Sequence, residues 1–159
     1  MIMELNYNIR MAMPEDKNEI ERLTRVDLKE KNEEFEQKRF DWGILRRIHD
    51  PLQRHGIFVA EKQNEEKNSI LIGIILGEMR IDPFGTSECL IKRIFVQQEY
   101  RGSLMGEDLL SAAIDHLKTI EVKRIKINLH IGSIKTKKLL EKFDFKSKSI
   151  VWELGLNNP

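Results

Sequence analysis

The chain has 159 residues, 40 % of them apolar and 33 % charged, with 27 basic and 26 acidic side chains and a formal net charge of +1. That length suits one domain, residues 1–159, able to bury roughly two-thirds of its unfolded surface. The near balance of charge excludes a polyanion binder driven by global charge, and the single cysteine, Cys89, excludes an internal disulfide, as expected of a protein in the reducing cytoplasm.

The start, MIMELNYNIRMAMPEDK, lacks a basic segment leading into an apolar one, and no apolar run approaches the ~20 residues of a membrane span. Tyr7–Met13 reads as a short strand ended by Pro14. Ile20, Leu23 and Val26 then keep helical spacing as far as Leu28, with Pro14, Glu15 and Asp16 suited to a first turn. Phe35, Trp42, Leu45 and Ile48 share a face of a second helix, which starts after Asn32 and ends before Pro51, with a break anticipated at Gly43. Gly56–Lys62 and Ser69–Arg80 form a hairpin across QNEEKN. Glu88–Val96 is apolar on both faces, Leu90, Ile94 and Val96 on one and Ile91 and Phe95 on the other, the pattern of a central strand.

Leu104–Ile120 is a helix with Leu109, Ala112, Ala113 and Leu117 inward. Arg124–Ile131 alternates, Ile125, Ile127, Leu129 and Ile131 in and Arg124, Lys126, Asn128 and His130 out, and strand–helix–strand predicts parallel pairing with a right-handed crossover. Ser133 can cap a helix running to about Lys142, and Ser149–Leu154 is a final strand. The order β-α-α-β-β-β-α-β-α-β describes an α/β fold of the α+β kind: a mixed sheet with helices on both faces.

Function rests on QQEYRGSLMGEDLL, Gln97 to Leu110. A strand that leads through a loop into a helix N-terminus presents unpaired N–H groups and the positive end of a helix dipole, a ready anion site. Gly102 and Gly106 permit close backbone approach, and Arg101 adds a permanent charge. Residues 121–148 carry nine Lys/Arg against three acids, a basic tract that also suits a solvated helix face.

IFVQQEYRGSLMGEDLL resembles the acetyl-CoA pyrophosphate motif of the GNAT superfamily of N-acyltransferases, R-x-x-G-x-G/A after a strand ending L-x-V-x-P-x-Y, with Ile94, Val96, Tyr100, Arg101, Gly102 and Gly106 on matching positions. IRMAMPEDKNEIERL is similar to the family's first strand and helix, and KKLLEKFDF, Lys137–Phe145, to its L-Y-E-K-x-G-F segment. The resemblance implies the GNAT-like fold and acetyl transfer from acetyl-CoA to an amine by direct attack on the thioester. It places the cofactor's pyrophosphate on the loop of Arg101, Gly102, Ser103, Leu104, Met105 and Gly106, and its pantetheine arm along the backbone of Ile94, Phe95 and Val96. The arm would enter where that strand splays from Leu129–Ile131, beside an amide that can stabilise an oxyanion. Ser133 stands where the family often has an Asn that contacts pantetheine. The basic tract would meet the cofactor's phosphates from the side.

Several positions depart from the pattern. Leu104 replaces the first motif glycine, and Asp144 replaces the glycine before the last Phe. Leu140 stands where the family's Tyr protonates the leaving thiolate, and Lys92 and Arg93 stand where many relatives carry an acidic pair. A thiol pKa near ~8.5 lets the thiolate leave without an acid. An α-amine of pKa ~7.7–8.0 is partly neutral at physiological pH, whereas deprotonating a lysine amine at pH 8 costs ~3 kcal/mol. The expected acceptor is therefore a small or anionic amine, or a peptide N-terminus, since Lys92 and Arg93 would repel a polycation. His130 and Glu88 are candidate bases, His130 by its pKa near ~6.5 and Glu88 through a water. Cys89 reads as core, and His49, His55 and His116 show no metal spacing.

Two other readings stand beside this one. A non-catalytic acyl-CoA-binding or regulatory module of the same fold is favoured by the missing Tyr and acidic pair. A nucleic-acid binder lacks surface aromatics interleaved with its basic residues. Fourteen residues follow Phe145, room for one strand where relatives finish with two, so a homodimer that pairs or exchanges this edge is expected.

Overall fold

The computed structural model describes residues 6–128 and 134–156. The chain divides into two units, residues 1–128 and 129–159. The first holds a five-stranded sheet in the order β1-β2-β3-β4-β5, namely Asn8–Met11, Ile57–Gln63, Ser69–Ile81, Ser87–Val96 and Arg124–Ile127. Neighbours are antiparallel except β4 and β5, which run parallel as the strand–helix–strand pattern requires. The mixed α/β class expected from the sequence holds.

One face of the sheet is covered by α1 (Lys17–Glu30), α2 (Gln37–Phe40) and α3 (Arg46–His49). Ile20, Leu23, Phe40 and Ile48 meet Ile57, Val59, Leu71, Ile74 and Phe95 in a single cluster. A π-helical stretch, Asp41–Leu45, joins α2 to α3 around Gly43, where the sequence anticipated a break. The wider turn shifts the helical register, so Trp42, expected inward, is 70 % exposed, and Phe40 and Ile48 point to the core. Phe35 lies before the helix, with its ring under the Arg25 guanidinium.

The other face holds α4, Met105–Thr119. Gly73 makes room for it: a Cβ there would lie 3.1 Å from both Met105 Sδ and Leu109 Cδ1. A tighter approach joins Gly56 to Gly77, where a Cβ on Gly77 would meet Gly56 O at 2.7 Å and Cys89 Sγ at 2.6 Å.

The β3–β4 register steps from Leu76↔Arg93 to Gly77↔Ile91, which leaves Lys92 as the extra residue of a bulge. Cross-strand partners share a face, so Leu90 lies with Arg93 and Phe95, and Ile91 with Ile94 and Val96. The unbroken alternation expected for this strand is thereby corrected.

Helices α1 and α4 end alike, on a left-handed residue whose follower donates five residues back. Asn32 (φ 55°) precedes the bond from Glu33 N to Leu28 O, and Glu121 (φ 61°) that from Val122 N to Leu117 O. In the second unit, α5 (Ile134–Lys142) closes the same way through Asp144 (φ 63°) and the bond from Phe145 N to Leu140 O. Asp144 thus takes the glycine-like conformation that the family motif has at that place. The final strand expected over Ser149–Leu154 is not formed. These residues take no regular structure, and Ile150, Val151, Trp152 and Leu154 are exposed. Strand β5 ends at Ile127, and Leu129–Ile131 lie outside the described residues.

Two measurements test this packing. Gly77→Ala should lower the unfolding free energy by about 1–3 kcal/mol in urea melts, because the new methyl meets backbone. Gly43→Ala, whose Cβ meets nothing within 4 Å, should cost nothing. Separately, Arg10 hydrogen-bonds Asp16 at 2.7 and 2.8 Å and Glu61 at 2.9 Å, and its guanidinium holds the Glu61 carboxyl down at about 2. A carboxyl lowered in the folded state stabilises it above the ordinary value near 4.5 and ceases to do so as pH falls toward 2. Arg10→Met should therefore cost about 1–3 kcal/mol at pH 7 by chemical denaturation, with the gap from wild type closing between pH 4.5 and 2.

Candidate functional site

Strand β4 ends at Val96 and passes through a short turn, Gln98–Tyr100, into residues 101–104 and then α4. Gly102 is left-handed at φ 84°, the one point of this loop where a side chain would be strained. Ser103 Oγ donates to Tyr100 O at 2.6 Å and accepts from Met105 N at 3.3 Å, which braces the loop from within. The amides of Gly102, Ser103, Leu104 and Gly106 have no partner among the described residues. A Cβ on Gly106 would find only Val96 Cγ2, at 3.9 Å, so the space above it is open. These features fit an anion held by backbone amides.

Two details differ from expectation. Leu104, standing for a motif glycine, has φ −81° and a 65 % exposed side chain, so its backbone needs no glycine. Arg101 does not reach toward the amides. Its Nε donates to Val96 O at 2.8 Å, and its guanidinium pairs with Glu30 of α1, so its charge fixes the loop against that helix. Met105 is fully buried beneath the loop.

Beside this loop, the end of β4 is unpaired on its β5 side among the described residues. Pairing of β4 with β5 runs from Glu88↔Arg124 to Ile91↔Ile127, and beyond it Ile94–Val96 have no β5 partner among the described residues. On the α1–α3 face, the bulge borders a cleft of about 320 Å³. Ile44, Ile57 and Leu76 make its apolar wall, and Arg47, Lys92 and Arg93 its charged one. The bulge places Lys92 and Arg93 side by side on this face. Arg93 pairs with Asp27 at 2.9 Å, while Lys92 and Arg47 each stand 3.6 Å from the same oxygen of Glu78.

Glu88 is buried at the opposite end of β4. Its carboxylate meets Arg80 Nε at 2.6 Å and Lys126 Nζ at 3.0 Å, and Lys126 and Arg80 hold its pKa below the usual carboxylate range. Arg124 and Lys126, two members of the basic tract, are thus directed to Glu88 and Asp82. Cys89 is buried beside Gly77, and burial, with Glu78 second, pushes its thiol up to about 11. His130 and Ser133 lie outside the described residues.

Sequence reasoning missed five residues and how they pair. Asp27, buried at 2 % exposure, continues the inward register of Ile20 and Leu23, and an acid on an apolar stripe was its available signal. Arg47 and Glu78 join only through folding. So do His55 and His116, stacked with Nδ1 and Nε2 2.9 Å apart, where burial and then His55 lower the His116 pKa. Among the described residues no group of three or more His, Cys, Asp or Glu is arranged to hold a metal ion, and no helix is long and apolar enough to cross a membrane.

Comparison with known proteins accords with this geometry. No curated protein matches. Among solved structures, a possible acetyltransferase from Clostridium difficile 630 superposes with a TM-score of 0.75 at 15 % identity, over 96 % of this chain and 99 % of that one. A ribosomal-protein-alanine N-acetyltransferase from Brucella melitensis biovar Abortus 2308 gives 0.69 at 13 % identity, over 95 % and 100 %. AAC(6')-Iy, bound to the bisubstrate analogue CoA-S-monomethyl-acetylneamine, gives 0.75 at 11 % identity, over 97 % and 100 %. The model of the acetyltransferase (GNAT) family matches residues 17–145, from the start of α1 to Phe145, and the chain belongs to that family.

Proposed function

We propose that the chain is an acetyl-CoA-dependent N-acetyltransferase whose acceptor is a small or anionic amine or a peptide N-terminus. The observation that carries this reading is the set of amides at Gly102, Ser103, Leu104 and Gly106 that have no partner among the described residues, directly after a strand whose end has no β5 partner among them. Those amides would hold the pyrophosphate, with Arg101 and Ser103 keeping the loop in shape. The backbone of Ile94, Phe95 and Val96 would pair with the pantetheine arm, with Ser133 as a further contact. When bound, acetyl-CoA supplies the acetyl group as a thioester.

The chain's part is to place an amine beside that thioester and exclude water. Asp27 and Glu78, the acids nearest the cleft, are both ion-paired, so an amine that is already partly neutral suits it best. His130 is the proposed base, with Glu88 the alternative through water, although Glu88 would have to loosen two ion pairs. One structural neighbour is named for the alanine of a ribosomal protein, in keeping with an α-amine acceptor. A second reading, a binding module without turnover, is favoured by Leu140, buried where the family motif has its Tyr.

Wild type should bind acetyl-CoA with micromolar affinity by calorimetry. Gly106→Ala should bind about tenfold more weakly, equivalent to ~1.4 kcal/mol, without loss of stability, because its methyl enters the open space above the amides. Absence of binding to the wild type would overturn the reading. Thiol release with a panel of amines then separates an enzyme from a binding module.

A homodimer is part of the proposal: the exposed apolar run of Ile150, Val151, Trp152 and Leu154 would be covered by a second copy. Sedimentation should give a dimer for wild type and a monomer for Trp152→Glu, and a wild-type monomer at micromolar concentration would refute it.

A further inference from the structure

The cleft at the bulge deepens the proposed function and rests on that reading for its role. Three cations line it, Arg47, Lys92 and Arg93, and no acid does. Asp27 already holds Arg93 at 2.9 Å and Lys31 at 2.9 Å. Glu78 alone faces Arg47 and Lys92, and at 3.6 Å to each it is beyond the 2.7–3.2 Å of a good N–H···O bond. Arg47 has one satisfied donor, toward Gly43 O at 2.6 Å, and the Lys92 ammonium makes no hydrogen bond among the described residues. Two cations therefore share one distant carboxylate oxygen at the wall of a cleft.

We propose that Arg47 and Lys92 are the specificity determinants of the acceptor site, and that they bind the anionic group, carboxylate or phosphate, of a small amine. The fork of Arg47 and the point charge of Lys92 converge on one position, held by Glu78 Oε2 at 3.6 Å from each, and an acceptor's anionic group at hydrogen-bond distance would displace that distant carboxylate. At about 320 Å³ the cleft has roughly twice the ~150 Å³ that admits benzene, enough for a small molecule. Ile44, Ile57 and Leu76 take the apolar part between the acceptor's two ends. The amine end then points along β4 toward Ile94, beyond the last rung that β4 shares with β5 among the described residues. Polyamines and other multiply cationic amines are repelled by the same wall.

Two measurements together test this. First, O-phosphoethanolamine against ethanolamine, and aspartate against asparagine, are titrated into the protein by calorimetry, which needs no turnover. Wild type should bind the more anionic member of at least one pair about tenfold or more tightly, and the pair that responds identifies phosphate or carboxylate as the group bound. Arg47→Met with Lys92→Met should erase that preference, and Lys92→Glu should invert it toward ethanolamine, each at an unchanged thermal midpoint. No preference in wild type, or one that survives the double variant, overturns the assignment. Second, thiol release with acetyl-CoA is followed for the same amines. Anion binding without thiol release would leave the anion site standing and remove the catalytic reading, so the two failures are distinguishable.

Discussion

The extra residue at Lys92 sets the facing of β4 and with it the wall of the charged cleft. Without it, β4 would alternate from Glu88 to Val96, and a single ladder would run along β3 for the length of the strand. The bulge reverses the facing between Ile91 and Arg93 and turns two successive basic side chains onto the same helical face. It lies one residue beyond the last rung shared with β5. One insertion thus shapes the charged cleft, next to the part of β4 that has no β5 partner among the described residues, and bulges are over-represented next to active sites.

The loop that follows depends on elements far from it in sequence. Arg101 turns back to Val96 and across to Glu30 on α1, and Ser103 closes the turn onto Tyr100. The side chains hold the backbone so that the amides can remain open. A loop whose polar side chains complete its own fold leaves recognition to N–H groups, which read charge and shape rather than sequence. That explains how Leu104 can replace a motif glycine: its side chain lies in solvent and its φ is ordinary.

Much of the fold was legible because its signals are local. Apolar spacing in α1 and α4, the QNEEKN hairpin and the strand–helix–strand order each reside within one to three consecutive elements. The bulge was not legible, since Ile91, Ile94, Phe95 and Val96 are apolar on either assignment and one added residue leaves no mark in such a run. The π-helical stretch was half legible: Gly43 marked where the helix would yield, but not that Trp42 would turn outward. Ser149–Leu154 misled for the opposite reason, an apolar run of strand length that takes no regular structure. The cradle could be read as a motif, whereas the cleft could not. Arg93 with Asp27, and Arg47 with Glu78, are separated by dozens of residues and meet only once the sheet has formed.

The contact between Gly56 and Gly77 bears on how this sequence can change. A side chain at either residue strikes the backbone of the other, and Cys89 closes the remaining side. Most crowded pairs have an escape, in which one residue shrinks as the other grows. Here both partners are already the smallest residue, so no compensating substitution exists within the pair. Descent from this sequence can repaint the cleft and rewrite the loop, but it passes through these two glycines unchanged or loses the geometry of β3 beside the bulge.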